Sequence, residues 1–358
     1  MKVRKLNLPF KIKKPVLALG AQVKNTLCFA SGRVADISQL HSNLTTPADL
    51  FNFEKAAKIL IKKNPKIIAC DLHPDYISTK FALSLDKEYS VIAVQHHHAH
   101  IAACMAENSL PNDPVIGVAF DGTGLGADYT IWGAEFLLCD YKKFSRKAHL
   151  KEIPLVGGEK AILEPWRLVA AWFGFPKNLD KNNLLKKIYR AKINSPLASS
   201  MGRLFDAAAS IVLNKRKASF EAELAIELEK LAVKNKSKVK KGYDFKVVNQ
   251  DGSLIFDPTP VFKGIANDLD NGEPKEKIAW QFHFSVAQIV IKVCLFLRKE
   301  AKLNKVVLSG GVFQNKVLLN LVSNLLSKEN FIVVRHKYLS CNDSSLSLGQ
   351  AAVANFRG

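Results

Sequence analysis

No two of the six cysteines (Cys28, Cys70, Cys104, Cys139, Cys294, Cys341) have C-x-x-C spacing. That excludes a zinc ribbon, and their place inside apolar runs such as IIACDL and FLLCDY reads as reduced, buried thiols rather than a disulfide framework. No stretch reaches about 18 uninterrupted apolar residues, so no membrane span is expected. The basic opening MKVRKLNLPFKIKKP lacks the apolar centre of a signal peptide. G-x-x-x-x-G-K-[ST], G-x-G-x-x-G and G-x-S-x-G are all absent, which argues against a Walker-type P-loop, a Rossmann dehydrogenase and a hydrolase elbow. Acidic residues are scarce: 32 Asp and Glu against 52 Lys and Arg, a formal net charge of +20. Such an excess favours polyanionic partners, nucleotides and nucleic acid included. The lysines are dispersed, however, and the plainer reading is solvated faces. The expectation is a soluble, cytoplasmic protein.

What is present is enough apolar material, 48% of 358 residues, to fill two cores, at roughly 150 residues per domain. Residues 15–40 read as three short strands turning at Gly20 and at Ser31-Gly32. A helix from Pro47, a strand at 66–72, a helix at 76–85, a strand at 90–95 and a helix from about His97 follow. PVIGVAFDG (114–122) is a buried strand entering glycine-rich TGLGADYT. From Glu159 to about Lys234 the period is helical, with loops near Pro176 and Pro196. The basic cluster 234–246 reads as a loop, and a hairpin turns at Asp251-Gly252. One long helix covers 275–302, and a strand at 305–311 enters a glycine turn before the last strand and helices. Alternating strands and helices predict α/β layers. The division expected is 1–112 as a first lobe completed by helix 344–358. Residues 113–343 then form a second lobe, with a helical insertion at about 159–234.

The densest chemical signal is Val94-Gln95-His96-His97-His98-Ala99-His100. His96 and His100, four apart on a helix, share one face and can chelate one ion. His97 and His98 point elsewhere, as supporting or solvent groups. Asp121 ends an apolar strand and begins Asp121-Gly122-Thr123-Gly124, at the strand end where open α/β sheets bind ligands. Its glycines allow close backbone approach to a phosphate. Asp343 precedes the final helix and reads alone as its N-cap. Ser309-Gly310-Gly311 through Asn315 is a strand–glycine–helix turn suited to a nucleotide. Asp206 is a lone carboxylate in an apolar helix, able to accept from ribose hydroxyls, or simply a charge near the helix start.

Taken together, GAQVKNTLCFASG, CDLHPDYIST, VQHHHAHIAACMAEN, VAFDGTGLGADYTIWGAEFLL, EPWR, SSMGRLFDA, LSGGVFQN and CNDSSLSLGQA resemble the C-terminal, TsaD-like domain of the HypF carbamoyltransferases. The resemblance implies a two-lobed actin/sugar-kinase-like (ASKHA) α/β fold with a central nucleotide cleft. It implies carbamoyl-adenylate as donor, with ATP or AMP as related nucleotides. It implies a HypE C-terminal cysteine as acceptor in NiFe-hydrogenase maturation. His96, His100, Asp121 and Asp343 would hold one divalent metal, iron or zinc. Lys24, Gly122, Gly124, Asp206, Gly310, Gly311 and Asn315 would face the nucleotide. His97 and His73 are the candidates for proton transfer. The pattern departs from the family where Ala222, Ser344 and Ser345 replace glycine. Full-length members also carry an acylphosphatase-like domain and a YrdC-like domain that makes the adenylate. Neither is in this sequence, so either a separate chain would supply the intermediate or this chain is a fragment of a longer protein. Two other readings are a TsaD-like tRNA-modification protein and a nucleotide-binding scaffold with reduced catalysis.

Overall fold

The computed structural model describes residues 3–174, 184–235 and 241–358. The loop expected near Pro176 and the centre of the basic cluster, 236–240, lie outside the described residues. The chain builds two α/β halves, each around its own sheet. The first contains β1 (Val3–Ala18), β2 (Val23–Asn25), β3 (Cys28–Ser38), β4 (His41–Asn43), α1 (Pro47–Ile61), β5 (Ile67–Asp71), α2 (Ile77–Leu83), β6 (Ser90–Val94) and α3 (His96–Glu107). Its sheet runs β3-β1-β5-β6, antiparallel between β1 and β3 and parallel from β1 onward.

The opening differs from the sequence reading. The second and third expected strands are one, β3, which passes through Gly32 at φ +60°. β1 reaches back to Val3 through the basic segment. Leu8 and Ile12 are buried while Lys11, Lys13 and Lys14 are exposed. The lysines therefore mask a strand period of two behind an apparently charged tail.

The second half contains β7 (Val115–Leu125), β8 (Ile131–Cys139), β9 (Phe144–Leu150), β10 (Ile153–Pro154), α4 (Lys160–Leu163), α5 (Trp166–Phe173), α6 (Leu184–Arg190), β11 (Leu197–Ser200), α7 (Met201–Leu213) and α8 (Glu223–Lys234). It continues with β12 (Lys246–Gln250), β13 (Ser253–Asp257), α9 (Thr259–Asp270), α10 (Lys275–Ala301), β14 (Lys305–Ser309), α11 (Lys316–Lys328) and β15 (Ile332–Arg335), after which α12 (Leu346–Arg357) returns to pack on β1, β3 and β5 of the first sheet. The main path of its sheet is β12-β13-β9-β8-β7-β14-β15. Two elements escaped the sequence. β11 interrupts the expected helical stretch and pairs with β8, and α9 follows the hairpin. The hairpin turn itself is as read, with Asp251 and Gly252 both at positive φ. α10 is the one described helix long and apolar enough to cross a membrane, and 67% of its most apolar window is buried inside the molecule.

α3 is the hinge pin of the architecture. All twelve of its residues are buried. It packs on β7 and β14 of the second sheet and against α12. A side chain at Gly349 of α12 would strike the Ala99 carbonyl oxygen at 1.8 Å, so small residues set the close crossing of the two helices. The helix carrying the histidine cluster thus lies between the two sheets with no face toward water.

Candidate functional site

The site forms where strand ends converge. β5 ends in Asp71, β6 hands the chain to α3, Asp121 lies within β7, β14 ends in Ser309, and the segment after β15 delivers Asp343. Gln95 caps α3 by accepting from the His98 N–H, which fixes the helix start and so places His96 and His100 one turn apart.

Ligand-capable atoms of His96, His100, Asp121 and Asp343 all lie within 4.8 Å of one another. His100 Nε2 stands 2.8 Å from Asp121 Oδ2 and 3.6 Å from Asp343 Oδ1, and His96 Nε2 stands 3.9 and 3.8 Å from the same two atoms. His96 Nε2, His100 Nε2 and Asp121 Oδ2 are buried without a hydrogen-bond partner, because the close His100–Asp121 approach is not aligned as one. Buried polar atoms rarely stay unsatisfied unless something else serves them. Burial opposes charge on His96, but Asp71, Asp343 and Asp121 overrule it and push its pKa up to about 10. His100 moves up for the same reason, through Asp121 and Asp343. Asp121 is buried as well, and the imidazoles hold its carboxyl well below the usual range. The cluster therefore draws positive charge into a place shielded from water. Two imidazole nitrogens and two carboxylate oxygens so arranged fit one divalent ion, iron or zinc.

Sequence reasoning missed the group that orients His96. Asp71 Oδ2 lies 2.8 Å from His96 Nδ1, both side chains being buried. A carboxylate on the far nitrogen keeps Nε2 free as a ligand. The signal existed, since Asp71, like Asp121, follows an apolar run, although in the fold only Asp71 ends its strand while β7 continues past Asp121 to Leu125.

Beside this corner is a cavity of about 360 Å³ whose walls include Lys24, Gly122, Arg203, Asp206, Gly311 and Asn315. Arg203 is a second residue the sequence did not single out. It is 2% exposed, with Nε 2.8 Å from Asp206 Oδ2 and Nη2 3.4 Å from Glu221 Oε1. Its Nε and Nη1 lack aligned partners, so a buried cation faces the cavity with unused donors. Burial raises Asp206 to about 6, against the pull of Arg203. Asn315 caps α11 through Leu318 N–H and meets His283 Nε2 at 2.9 Å. Ala222, one of the positions where the resemblance leads one to expect glycine, adopts φ +66°, a left-handed conformation that costs an L-residue about 1–2 kcal/mol.

Other expected residues go elsewhere. Gly310, at φ +102°, turns against Phe120, whose carbonyl oxygen a Cβ would meet at 2.2 Å. Gly311, not Gly310, lines the cavity. Gly124 makes room for imidazoles, since a side chain there would strike His97 and His96 at 2.6 and 2.9 Å. It lines a second, wider cavity of about 930 Å³, together with His73, Tyr76 and Lys160, while Glu221 borders both. His73 stacks on Tyr76. His97 is fully buried beside Gln95, and burial holds its pKa well below normal. His98 is no solvent group, because it is buried against the Asp140 carbonyl.

Residues 117–350 match the family described as carbamoyltransferase, Kae1-like domain, second subdomain, and residues 11–107 match the HypF Kae1-like domain. The chain belongs to the HypF carbamoyltransferase family. It is 36% identical to carbamoyltransferase HypF of Rhodobacter capsulatus over 96% of this chain and 47% of that one. It is 35% identical to a HypF homolog of Cupriavidus necator, over 95% and 91% of the two chains. A crystal structure of full-length HypF in its phosphate- and nucleotide-bound form superposes with a TM-score of 0.91 at 38% identity. That match covers 98% of this chain and 57% of the other. The chain thus spans about half the length of the Rhodobacter relative. Its two halves have the two-lobed actin/sugar-kinase-like architecture of this HypF fold.

Proposed function

We propose that this chain transfers a carbamoyl group from carbamoyl-adenylate to a protein thiol, the C-terminal cysteine of a HypE-like partner, in cytoplasmic NiFe-hydrogenase maturation. The observation that carries the reading is adjacency. The His96–His100–Asp121–Asp343 corner shares Asp121 with the wall of the cavity holding Arg203 and Asp206. A donor with its ribose toward Asp206 and its phosphate toward Arg203 would present its carbamoyl end at the metal corner. A bound divalent ion there would supply Lewis acidity. The thiolate attacks the carbamoyl carbon, a C–S bond forms, the C–O bond to phosphate breaks, and AMP leaves. Arg203 takes up charge on the departing phosphate. Holding donor and acceptor in one cleft supplies much of the acceleration. The wider cavity gives the acceptor its approach, and of the two proton-transfer candidates His73 faces it while His97 does not. This reading keeps the division into lobes at 112/113. The two sheets support it, since each draws its strands from one side of that point. It also requires a YrdC-like protein or domain as donor source.

The test supplies carbamoyl-adenylate from such a protein, together with the HypE-like acceptor, and reads intact mass. A carbamoylated acceptor is expected. His100→Ala should lower the rate by more than the ~10–100-fold typical of outer-sphere changes. Metal-loaded chain that leaves the acceptor unmodified sinks the proposal.

A further inference from the structure

The two imidazoles of the metal corner are anchored differently. His96 Nδ1 meets a carboxylate directly, at Asp71. His100 Nδ1 meets Ser309 Oγ at 3.4 Å, Ser309 Oγ meets His336 Nε2 at 2.9 Å, and His336 Nδ1 meets Glu107 Oε2 at 2.5 Å. Every member is buried or nearly so, with side-chain exposure of 4% for His336 and 0% for Glu107. Glu107 ends the same helix that begins with His96.

The polarity of this chain is set at its far end. Burial pushes the Glu107 carboxyl up, but His336 and the backbone amides of Tyr338 and Leu339 outweigh it and hold it below its ordinary value. An ionised Glu107 only accepts, so His336 Nδ1 carries a hydrogen, and in the tautomer with that single ring hydrogen Nε2 accepts from the Ser309 hydroxyl. The hydroxyl oxygen is then free to accept from His100 Nδ1–H. That leaves His100 Nε2 with its lone pair aimed at Asp121 and Asp343.

Glu107 does a second thing. Its Oε1 accepts from the backbone N–H groups of Lys337, Tyr338 and Leu339. Gly310 N–H bonds the Cys341 carbonyl at 2.9 Å in the same stretch. This segment leads directly to Asp343. One buried carboxylate thus grips both the relay that orients His100 and the backbone that carries the fourth ligand.

We propose that Glu107, His336 and Ser309 are positioning residues that form a latch: they lock His100 in its metal-binding tautomer and, through the same carboxylate, set Asp343 in place. The proposal rests on the divalent-metal reading of the corner, but not on carbamoyl transfer.

The test is Co(II) titration of the full chain, reading affinity and the ligand-field spectrum, for wild type, Ser309→Ala, Glu107→Gln and Asp71→Asn. Ser309→Ala removes one hydroxyl and should weaken binding by ~10–100-fold, the usual effect of an outer-sphere partner. Its spectrum should keep the wild-type shape. Glu107→Gln should lose more and also change the band shape, because Asp343 is displaced as well. Circular dichroism checks that each variant folds, and Ser309→Ala carries the test if Glu107→Gln does not. Binding by Ser309→Ala within twofold of wild type overturns the latch, whatever Asp71→Asn does. A wild-type chain that takes up no Co(II) overturns the metal reading instead. Metal uptake without carbamoyl transfer leaves the latch standing and removes only the proposed activity.

Discussion

The metal corner and the nucleotide cavity lie side by side, yet they handle buried charge in opposite ways. In the corner, Asp121 and the two imidazoles leave atoms unpaired and pointed at one another, where the proposed cation would satisfy them. In the cavity, Asp206 has its counter-ion built in, as Arg203 lies three residues away on the same helix. One cluster offers its unpaired atoms to a cation from outside, and the other carries its cation in the fold with a donor to spare for a ligand. Losing a built-in partner should therefore destabilise the fold itself, whereas losing the metal should cost only what metal binding adds.

The largest effect is expected from Arg203→Ala. Removing one partner of a buried pair leaves an uncompensated charge, at about 3–5 kcal/mol. Urea unfolding should show that loss, and Arg203→Met with Asp206→Leu should recover most of it while nucleotide binding stays absent. Full stability in Arg203→Ala alone would break the comparison. Next comes metal itself. An ion that binds only the folded state, at a hundred times its Kd, adds about 2.7 kcal/mol. Zinc or ferrous ion should raise the unfolding midpoint of wild type and leave that of Asp343→Ala much less changed. Equal shifts in both would place the ion elsewhere.

The same contrast explains what was legible in the sequence. His96 and His100 announce themselves because their relation is local, four residues on one helix. Asp121 is legible as a carboxylate at the end of an apolar run. Asp71 carries the same signature but has no second signal nearby, since its partner is 25 residues away. Nothing local links Glu107 to His336, 229 residues on. Their pairing exists only once α3 is laid across β14. Two of the four glycines, Gly124 and Gly310, misled for a related reason. Gly122, Gly124, Gly310 and Gly311 look alike in the chain, but packing assigns them different neighbours: a cavity, two imidazoles, a carbonyl and a carboxylate. β1 was hidden by its lysines, which the strand period places in solvent.

The smallest effect concerns pH. Asp206 sits at about 6 in the free protein because burial disfavours its charged form, with Arg203 opposing and Glu221 adding to the rise. A ribose hydroxyl donating to this carboxyl favours the charged form, so ligand lowers its pKa. The sign follows. Affinity is highest above about 6 and falls as the pH drops through that value, by at most about tenfold per unit. Adenosine is the probe to use, because it has no phosphate to titrate over the same range. Calorimetric titration between pH 5 and pH 8 should show the decline, and Asp206→Asn should bind more weakly with a flat profile. A wild-type profile already flat would mean that Arg203 satisfies Asp206 completely. The cavity would then present the ribose with a neutral pair, and the contrast with the metal corner would be sharper still.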